Sequence, residues 1–579
     1  MKRTDWIFAV AAVLGVVLFV RGYESAFPAA AIELEWPRDE VRAGADAYLR
    51  ERGLDPDTFR STLTFDARGS AATFLQRVRG LEETSRFARE TLPLWSWGTR
   101  WFRSAEKEEF FLDLAPDGDV LAFEHVLPDA AAGDSLTQDS ARVLATAFAA
   151  EQMDRWARWM GRRSGANGGG GAGVDTARWR LVDEATRARE NRVDHTFTWE
   201  RIGSEIEWKP EDPEAGTASL RLSVTVRGAE IGGFSRFLKV PEGFERERSR
   251  QESNGTLLAV VSFALMFLLV IGALVVGIVR HKHDLVRWRW ALVAGGLVTF
   301  TVLASGVLGY PLVQAGYQTD VAFPTYIAIA AVAGTLFAVF YGLIIWGTGA
   351  AGESLAGETF PGSVRALRDW IGGRWITSAA ASEVWRGYAI GLAFLGYITA
   401  FYLIGRRYLN VWLPADSPHS QILGMYLPWL VPALIAVQAS ISEEFMLRLF
   451  AIPLLKRYLK ITFVALLVPA AIWAFGHSNY PVFPVYVRGI ELTIAGLVFG
   501  WVFIRYGIVA MLVAHYAIDA ILIAMPFLRA SGGSYVGYGV AALVCAALPL
   551  AIPAAFRLRG DRRERAAVEA SGGRGGPGL

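Results

Sequence analysis

From Thr256 onward the chain is a succession of long apolar runs separated by short polar turns, and this restricts the fold more than any other feature. A helix needs roughly 20 apolar residues to cross the hydrocarbon core, where every backbone polar group must be bonded inside the segment. Nine runs are candidates: Thr256–Val279, Trp290–Pro311, Thr325–Trp346, Gly387–Ile404, Ile422–Leu455, Ile461–His477, Ile490–Ile504, Ile508–Leu528 and Tyr538–Phe556. A tenth, Trp6–Val20, follows Lys2 and Arg3 and is short for a span. Ala29-Ala30-Ala31 would suit cleavage of a signal peptide, but Arg21 directly behind the run favours an uncleaved anchor. The expected fold is therefore an all-α polytopic membrane bundle of about ten spans, carrying one α+β domain.

Charge placement orients the bundle. The basic turns Arg280–Arg289, Arg365–Arg386 and Lys456–Lys460, together with Arg505, fall on the side of Lys2, which the positive-inside rule makes cytoplasmic. Arg406 and Arg407 fall on the other side. The basic stretch Arg557–Arg565 puts the C-terminus inside, ahead of a tail, Ser571–Leu579, that reads as disordered. A multi-pass protein of the plasma (inner) membrane is expected, in contact with lipid. The net charge of +2 gives no footprint for nucleic acid. One cysteine, Cys545, excludes an intrachain disulfide framework and a Cys-based zinc site.

Gly22–Asn254 contains no spanning run and is expected outside the cytoplasm. A helical pattern over Asp39–Arg52 (Val41, Tyr48 and Leu49 on one face) precedes strand-like runs at Ser61–Phe65, Phe110–Leu114 and Val120–Leu127. The order then repeats. A helix over Asp139–Met160, striped by Val143, Leu144, Phe148 and Trp156, precedes strands at Trp179–Asp183, Val193–Trp199 and Leu220–Val226. The repeated order suggests a duplicated α+β module, weakly similar to PepSY repeats, with a Gly-rich linker at Ser164–Val174 in its second copy. Trp95, Trp97 and Trp101 read as core, and the isolated His125 and His195 as structural. No catalytic constellation is visible there. The domains expected are residues 1–21 (anchor), 22–254 (α+β), 255–420 (spans and a cytoplasmic loop), 421–528 (catalytic core) and 529–579 (last span and tail).

The apolar run Ile422–Leu455 carries Glu443, Glu444 and Arg448. An ionisable group at bilayer depth costs at least ~2.5 kcal/mol, so each is a functional candidate. Glu444 and Arg448 are i,i+4 and pair on one helix face, whereas Glu443 points about 100° away. Trp473-Ala474-Phe475-Gly476-His477 ends the next run, and a later run holds His515 and Asp519, again i,i+4. A Glu, two His and an Asp converging inside a membrane would form a water-activating site. Glu443 and His477 fall at one depth, roughly 20–25 Å from the basic turn, and His515 at ~15 Å from the same face. If the basic turn protrudes, these depths place the site toward the cytoplasmic side.

The series Glu-Glu-x3-Arg, aromatic-x3-His and His-x3-Asp over Gln421–Leu528 resembles the CPBP intramembrane proteases, also called type II CAAX or Abi-like, which include prenyl-protein endopeptidases and lysostaphin-resistance-like proteins. Leu449 stands where the family often has Gly, Trp473 where it often has Phe, and Asp519 where Asn is common. The resemblance implies peptide-bond hydrolysis, with Glu443, Glu444, His477, His515 and Asp519 as catalytic positions and Arg448 and Trp473 in support. Glu443 would be the general base, His477 would hold the water or protonate the leaving amine, and His515 would stabilise the oxyanion. Asp519 would orient His515, or act as a hydrogen-bond donor only if protonated.

Other readings stay open at this point. Two His and a carboxylate suffice for zinc, although no His-Glu-x2-His is present, so a metal cofactor is neither required nor excluded. A proton-coupled transporter would use similar buried groups but should display an internal repeat among its spans. A non-catalytic scaffold or immunity protein would have no need of Glu443, His477 and His515. The partner expected is a peptide or protein substrate reaching the site from the membrane or the cytoplasm, prenylated or not.

Overall fold

The computed structural model describes residues 3–165, 176–209, 211–212, 215–413, 420–530 and 532–559. The Gly-rich linker at 164–174 and the tail at 571–579 fall almost wholly outside them. Among the described residues, eight helices are long and apolar enough to cross a membrane. They are α1 (Arg3–Ala26), α5 (Glu242–His281), α6 (Trp288–Leu308), α8 (Phe323–Thr359), α10 (Ser378–Tyr408), α14 (Tyr486–Tyr506), α15 (Ile508–Arg529) and the segment Gly533–Arg559, which begins with α16 (Gly533–Ala547). The two other runs expected to span are built differently. Ile422–Leu455 is not one helix: it is α11 (Val431–Glu443), a π-helix (Glu444–Ala451) and α12 (Ile452–Leu459). The other, α13 (Thr462–Phe475), has only 14 residues.

Between α1 and α5 lies one antiparallel sheet, flanked by α2 (Arg38–Glu51), α3 (Gly69–Glu90) and α4 (Gln138–Arg163). Its strands are β1 (Arg60–Ala67), β2 (Trp95–Phe102), β3 (Glu109–Leu114), β4 (Val120–Val126), β5 (Trp179–Ala188), β6 (Val193–Arg201), β7 (Ile206–Glu207), β8 (Thr217–Arg227) and β9 (Glu230–Lys239). They lie in the order β1-β2-β3-β4-β9-β8-β6-β5, with β7 beside β8. Each half runs from an edge strand inward, and the halves meet where Ala122–Glu124 pair with Gly233–Ser235. Leu220, Leu222, Val224 and Val226 alternate into the core as a half-buried strand requires. Trp97 and Trp101 are fully buried. On α4 Leu144, Phe148 and Trp156 of the expected stripe pack on the core. Val143 is exposed, and Ala141, Ala145 and Ala149 face the core, since small side chains bring the helix close to the sheet.

The sheet is seated on the ends of the bundle helices. Arg100 donates to the carbonyls of Ala315 and Tyr317 at 2.8 and 2.7 Å, and Gln421 donates to Asp66 at 3.1 Å. α5 runs without a break from Phe244, packed on Phe74 in the sheet domain, through its apolar part to Arg280. At that far end Arg280 and Arg457 share Glu358. α1 and α10 run parallel: Arg386 pairs with Asp5 near their starts, and Arg406 donates to Ala26 O near their ends.

Candidate active site

Glu443, Glu444, Arg448, His515 and Asp519 gather where α11 gives way to the π-helix. In i→i+5 winding each turn holds more residues, so side chains are re-aimed and the segment is shorter along its axis; such insertions are frequent at functional sites. Glu444 and Arg448 pair at 3.3 Å as their spacing predicts, and both are buried. The winding around them is π rather than the expected α. Arg448 also lies 4.4 Å over the Trp473 ring, a cation–π contact.

His515 is the centre of the cluster. Its Nδ1 lies 2.8 Å from Glu444 Oε1. A carboxylate there makes Nδ1 the protonated nitrogen and turns Nε2 to the other side. Nε2 stands 3.4 Å from Asp519 Oδ2 and 3.8 Å from Glu443 Oε2. The side chains of Glu443 and Asp519 are each 27% exposed, against 0% for Glu444. Two carboxylates thus open to the outside of the packed core, and one is sealed beneath them. Asp519, expected to orient His515, is not its nearest carboxylate; the closer partner is Glu444.

Trp473 ties the motifs together. Its indole N–H donates to Glu443 Oε2, and the rings of His477 and His515 approach it edge-on, with centroids at 5.5 and 6.0 Å. His477 Nδ1–H donates to Trp473 O at 2.9 Å. Its link to Glu443 therefore runs through the indole and not through a direct bond. Leu449, where the resemblance expects glycine, packs on Gly352 of α8, so the small residue stands on the facing helix.

α15 sets the position of His515 and Asp519, and α10 sets α15. A Cβ added at Gly387 or Gly391 would lie 2.6 or 2.9 Å from the carbonyls of Ala510 and Ala514, so the two backbones touch there. Glu383 of α10 accepts from Ala366 N at 3.4 Å, and its carboxylate lies against Gly507, where α15 opens. The sequence reading missed Glu383, as it missed Tyr341, whose hydroxyl meets the side chains of Ser442 and Gln438 beside Glu443. Neither residue has a motif around it. A lone acidic group in an apolar run was the only available signal for Glu383.

The depth reckoned along straight helices put the site toward the basic turns. In the structure its His477 end lies toward the sheet domain. Ser478 abuts Gly255 of α5. Phe483 pairs with Trp412 through backbone and stacked rings at 4.3 Å, and Arg77 of the sheet domain lies 5.8 Å over Trp412. Among the described residues no three His, Cys, Asp or Glu side chains are arranged to hold a metal ion, so the donor set does not fit zinc. His125 and His195 stand apart from the cluster: His125 meets Glu108 at 3.0 Å, and His195 meets Thr186 and Leu136 O at 2.9 and 3.0 Å.

Residues 425–521, which contain every member of this cluster, match the family model for Rce1-like type II CAAX prenyl endopeptidases. The segment is similar to an Rce1-like domain. The matched family is one of proteases, and with eight helices suited to crossing a bilayer the chain is a multi-pass integral membrane protein. The sporulation-killing factor biosynthesis protein SkfC of Bacillus subtilis (strain 168) is 32% identical over 91 residues. That similarity covers 16% of this chain and 18% of the relative. No solved structure matches.

Proposed function

We propose that this protein is an intramembrane endopeptidase of the CAAX-processing type that hydrolyses a peptide bond with a water activated by Glu443. The observation that carries this reading is the asymmetry around His515: Glu444 is sealed against Nδ1, while Glu443 and Asp519 are partly exposed at Nε2. Glu443, held by the Trp473 indole, takes the proton of the water. His515 presents Nε2–H to the oxyanion that forms on the carbonyl, with Glu444 balancing its charge. His477, its Nδ1–H held by Trp473 O, takes up at Nε2 the proton that Glu443 removed from the water and passes it to the leaving amine, which leaves Glu443 and His477 as they began. Asp519 restrains His515 from the exposed side. No step passes through a metal.

The protein is read as a resident of the plasma (inner) membrane with both termini inside. The broken segment Val431–Leu459 and α13 complete about ten spans. The sheet domain then stands outside, and we read its two inward-running halves as a duplicated unit that receives substrates or partners. Comparative proteomics of cells carrying the intact protein and Glu443→Ala tests the central claim. The variant should accumulate at least one uncut membrane-associated or secreted peptide; identical peptide profiles would sink the protease reading.

A further inference from the structure

α14 brings a second charged group to the edge of this site. Glu491 is fully buried, and its Oε2 accepts from Tyr402 OH at 2.6 Å and from Arg488 Nη1 at 2.7 Å. Arg488 Nη1 also reaches Tyr402 OH at 3.2 Å. These bonds use one corner of the guanidinium. The opposite edge, Nε and Nη2, has no hydrogen-bond partner among the described residues, and Nε is buried. A buried donor left unpaired is destabilising, and more so when it is charged. The chemistry that fits the free edge is specific: two parallel N–H groups in one plane match the two oxygens of a carboxylate.

The edge is also within reach of the cluster. The Arg488 side chain is 21% exposed, whereas its partner Glu491 is sealed, so the cation and not the anion is open. The guanidinium lies 5.9 Å from the Tyr480 ring, and that ring lies 5.4 Å from the ring of His477. Tyr480 is in the electrostatic field of Arg488, Glu443 and Asp519 together. An extended peptide covers such a gap in roughly three residues.

We propose that the Nε–Nη2 edge of Arg488 binds a carboxylate of the substrate peptide a few residues from the scissile bond, and that this selects which peptides are cut. The inference rests on the protease reading for its substrate but not for its binding chemistry. The carboxylate belongs either to a free C-terminus or to an Asp or Glu side chain.

The test uses the full-length protein in lipid nanodiscs and a randomised octapeptide library made as C-terminal acids and as C-terminal amides. Retained peptides and their cleavage products are read separately by mass spectrometry. Recognition of a free C-terminus should enrich acids about tenfold over amides, and recognition of a side chain should enrich Asp and Glu at one position in both forms. Arg488→Lys keeps the charge beside Glu491 but loses the planar edge, and should abolish the preference. Should Arg488→Lys fold poorly, Arg488→Gln with Glu491→Gln removes both charges together and should do the same. Equal recovery of acids and amides without Asp or Glu enrichment, a preference that survives both variants, or no retention above empty nanodiscs would overturn the proposal. An acid preference without cleavage would sink the protease reading and leave Arg488 in place. Cleavage without that preference would do the reverse.

Discussion

Glu443 and Glu444 are neighbours in sequence with different surroundings, and part of that difference was legible in advance. The i,i+4 spacing to Arg448 assigned the pairing of Glu444, since two side chains on one helix face need no tertiary information to meet. The bond from Glu444 to His515 was not legible, because it joins positions 71 residues apart through packing alone. Trp473 was read as support; its indole N–H makes it a direct partner of Glu443, which the phenylalanine common in the family could not be. Trp473→Phe keeps the ring and removes the donor. With hydrogen bonds to charged groups worth about 1.5–3 kcal/mol, kcat on a cleaved peptide should fall at least about tenfold with KM unchanged. Asp519→Asn supplies a neutral donor beside His515 Nε2, and steady-state kinetics should show kcat kept or raised; complete loss would make the charge of Asp519 essential. Outside the membrane, burial pushes the His125 imidazole below its ordinary value against the opposing pull of Glu108. The unfolded chain then binds the proton more readily, so this contribution to stability is present above the ordinary histidine range and lost as pH falls through it. Protection factors of the β3 and β4 amides in the full chain, with the intrinsic exchange rate divided out, should fall as pH drops from about 7 to 5, and less so in His125→Phe.

At the scale of elements, the apolar runs announced nearly every bundle helix, because lipid leaves the backbone no alternative. They did not announce the π-winding of Glu444–Ala451, since hydropathy does not distinguish i→i+4 from i→i+5 bonding. That winding shortens the segment and accounts for part of the depth mismatch between Glu443 and His515. In the sheet domain the sequence reading passed over α3, β2 and β9. β2 and β9 are buried at both interior and flanking positions, so their alternation is blurred. The approach of α15 to α10 depends on Gly507. Its φ of 105° suits only glycine, and an added Cβ would lie 2.3 Å from Glu383 Oε2. Gly507→Ala should displace the Glu383 carboxylate from the start of α15 and destabilise the protein by ~2 kcal/mol or more, read as a lowered thermal midpoint in nanodiscs. An unchanged midpoint would mean that the Glu383 contacts do not hold α15.

At the scale of the whole molecule, the disposition of the sheet domain and the basic turns decides from which side a substrate arrives. The sheet domain follows α1, and it sits at the end of α10 where Arg406 meets Ala26. The opposite ends of the bundle carry Arg280, Arg457 and Lys456, the cations that the positive-inside rule keeps in the cytoplasm. Arg406 and Arg407 lie at the sheet-domain end, and Arg406 is engaged by the carbonyls of Ser25 and Ala26, so its charge serves a local contact. The expected arrangement is a sheet domain outside, a C-terminus inside, and a site whose His477 end faces the sheet domain. Reporter fusions that are active on only one side of the membrane test this when placed at Gly165, in the turn after α4, and after Arg559. The two positions should report opposite sides, with Gly165 outside. Both reporters on one side would break the count of spans. Opposite sides with Gly165 inside would preserve the count and invert the route, bringing the substrate to His477 from the cytoplasm.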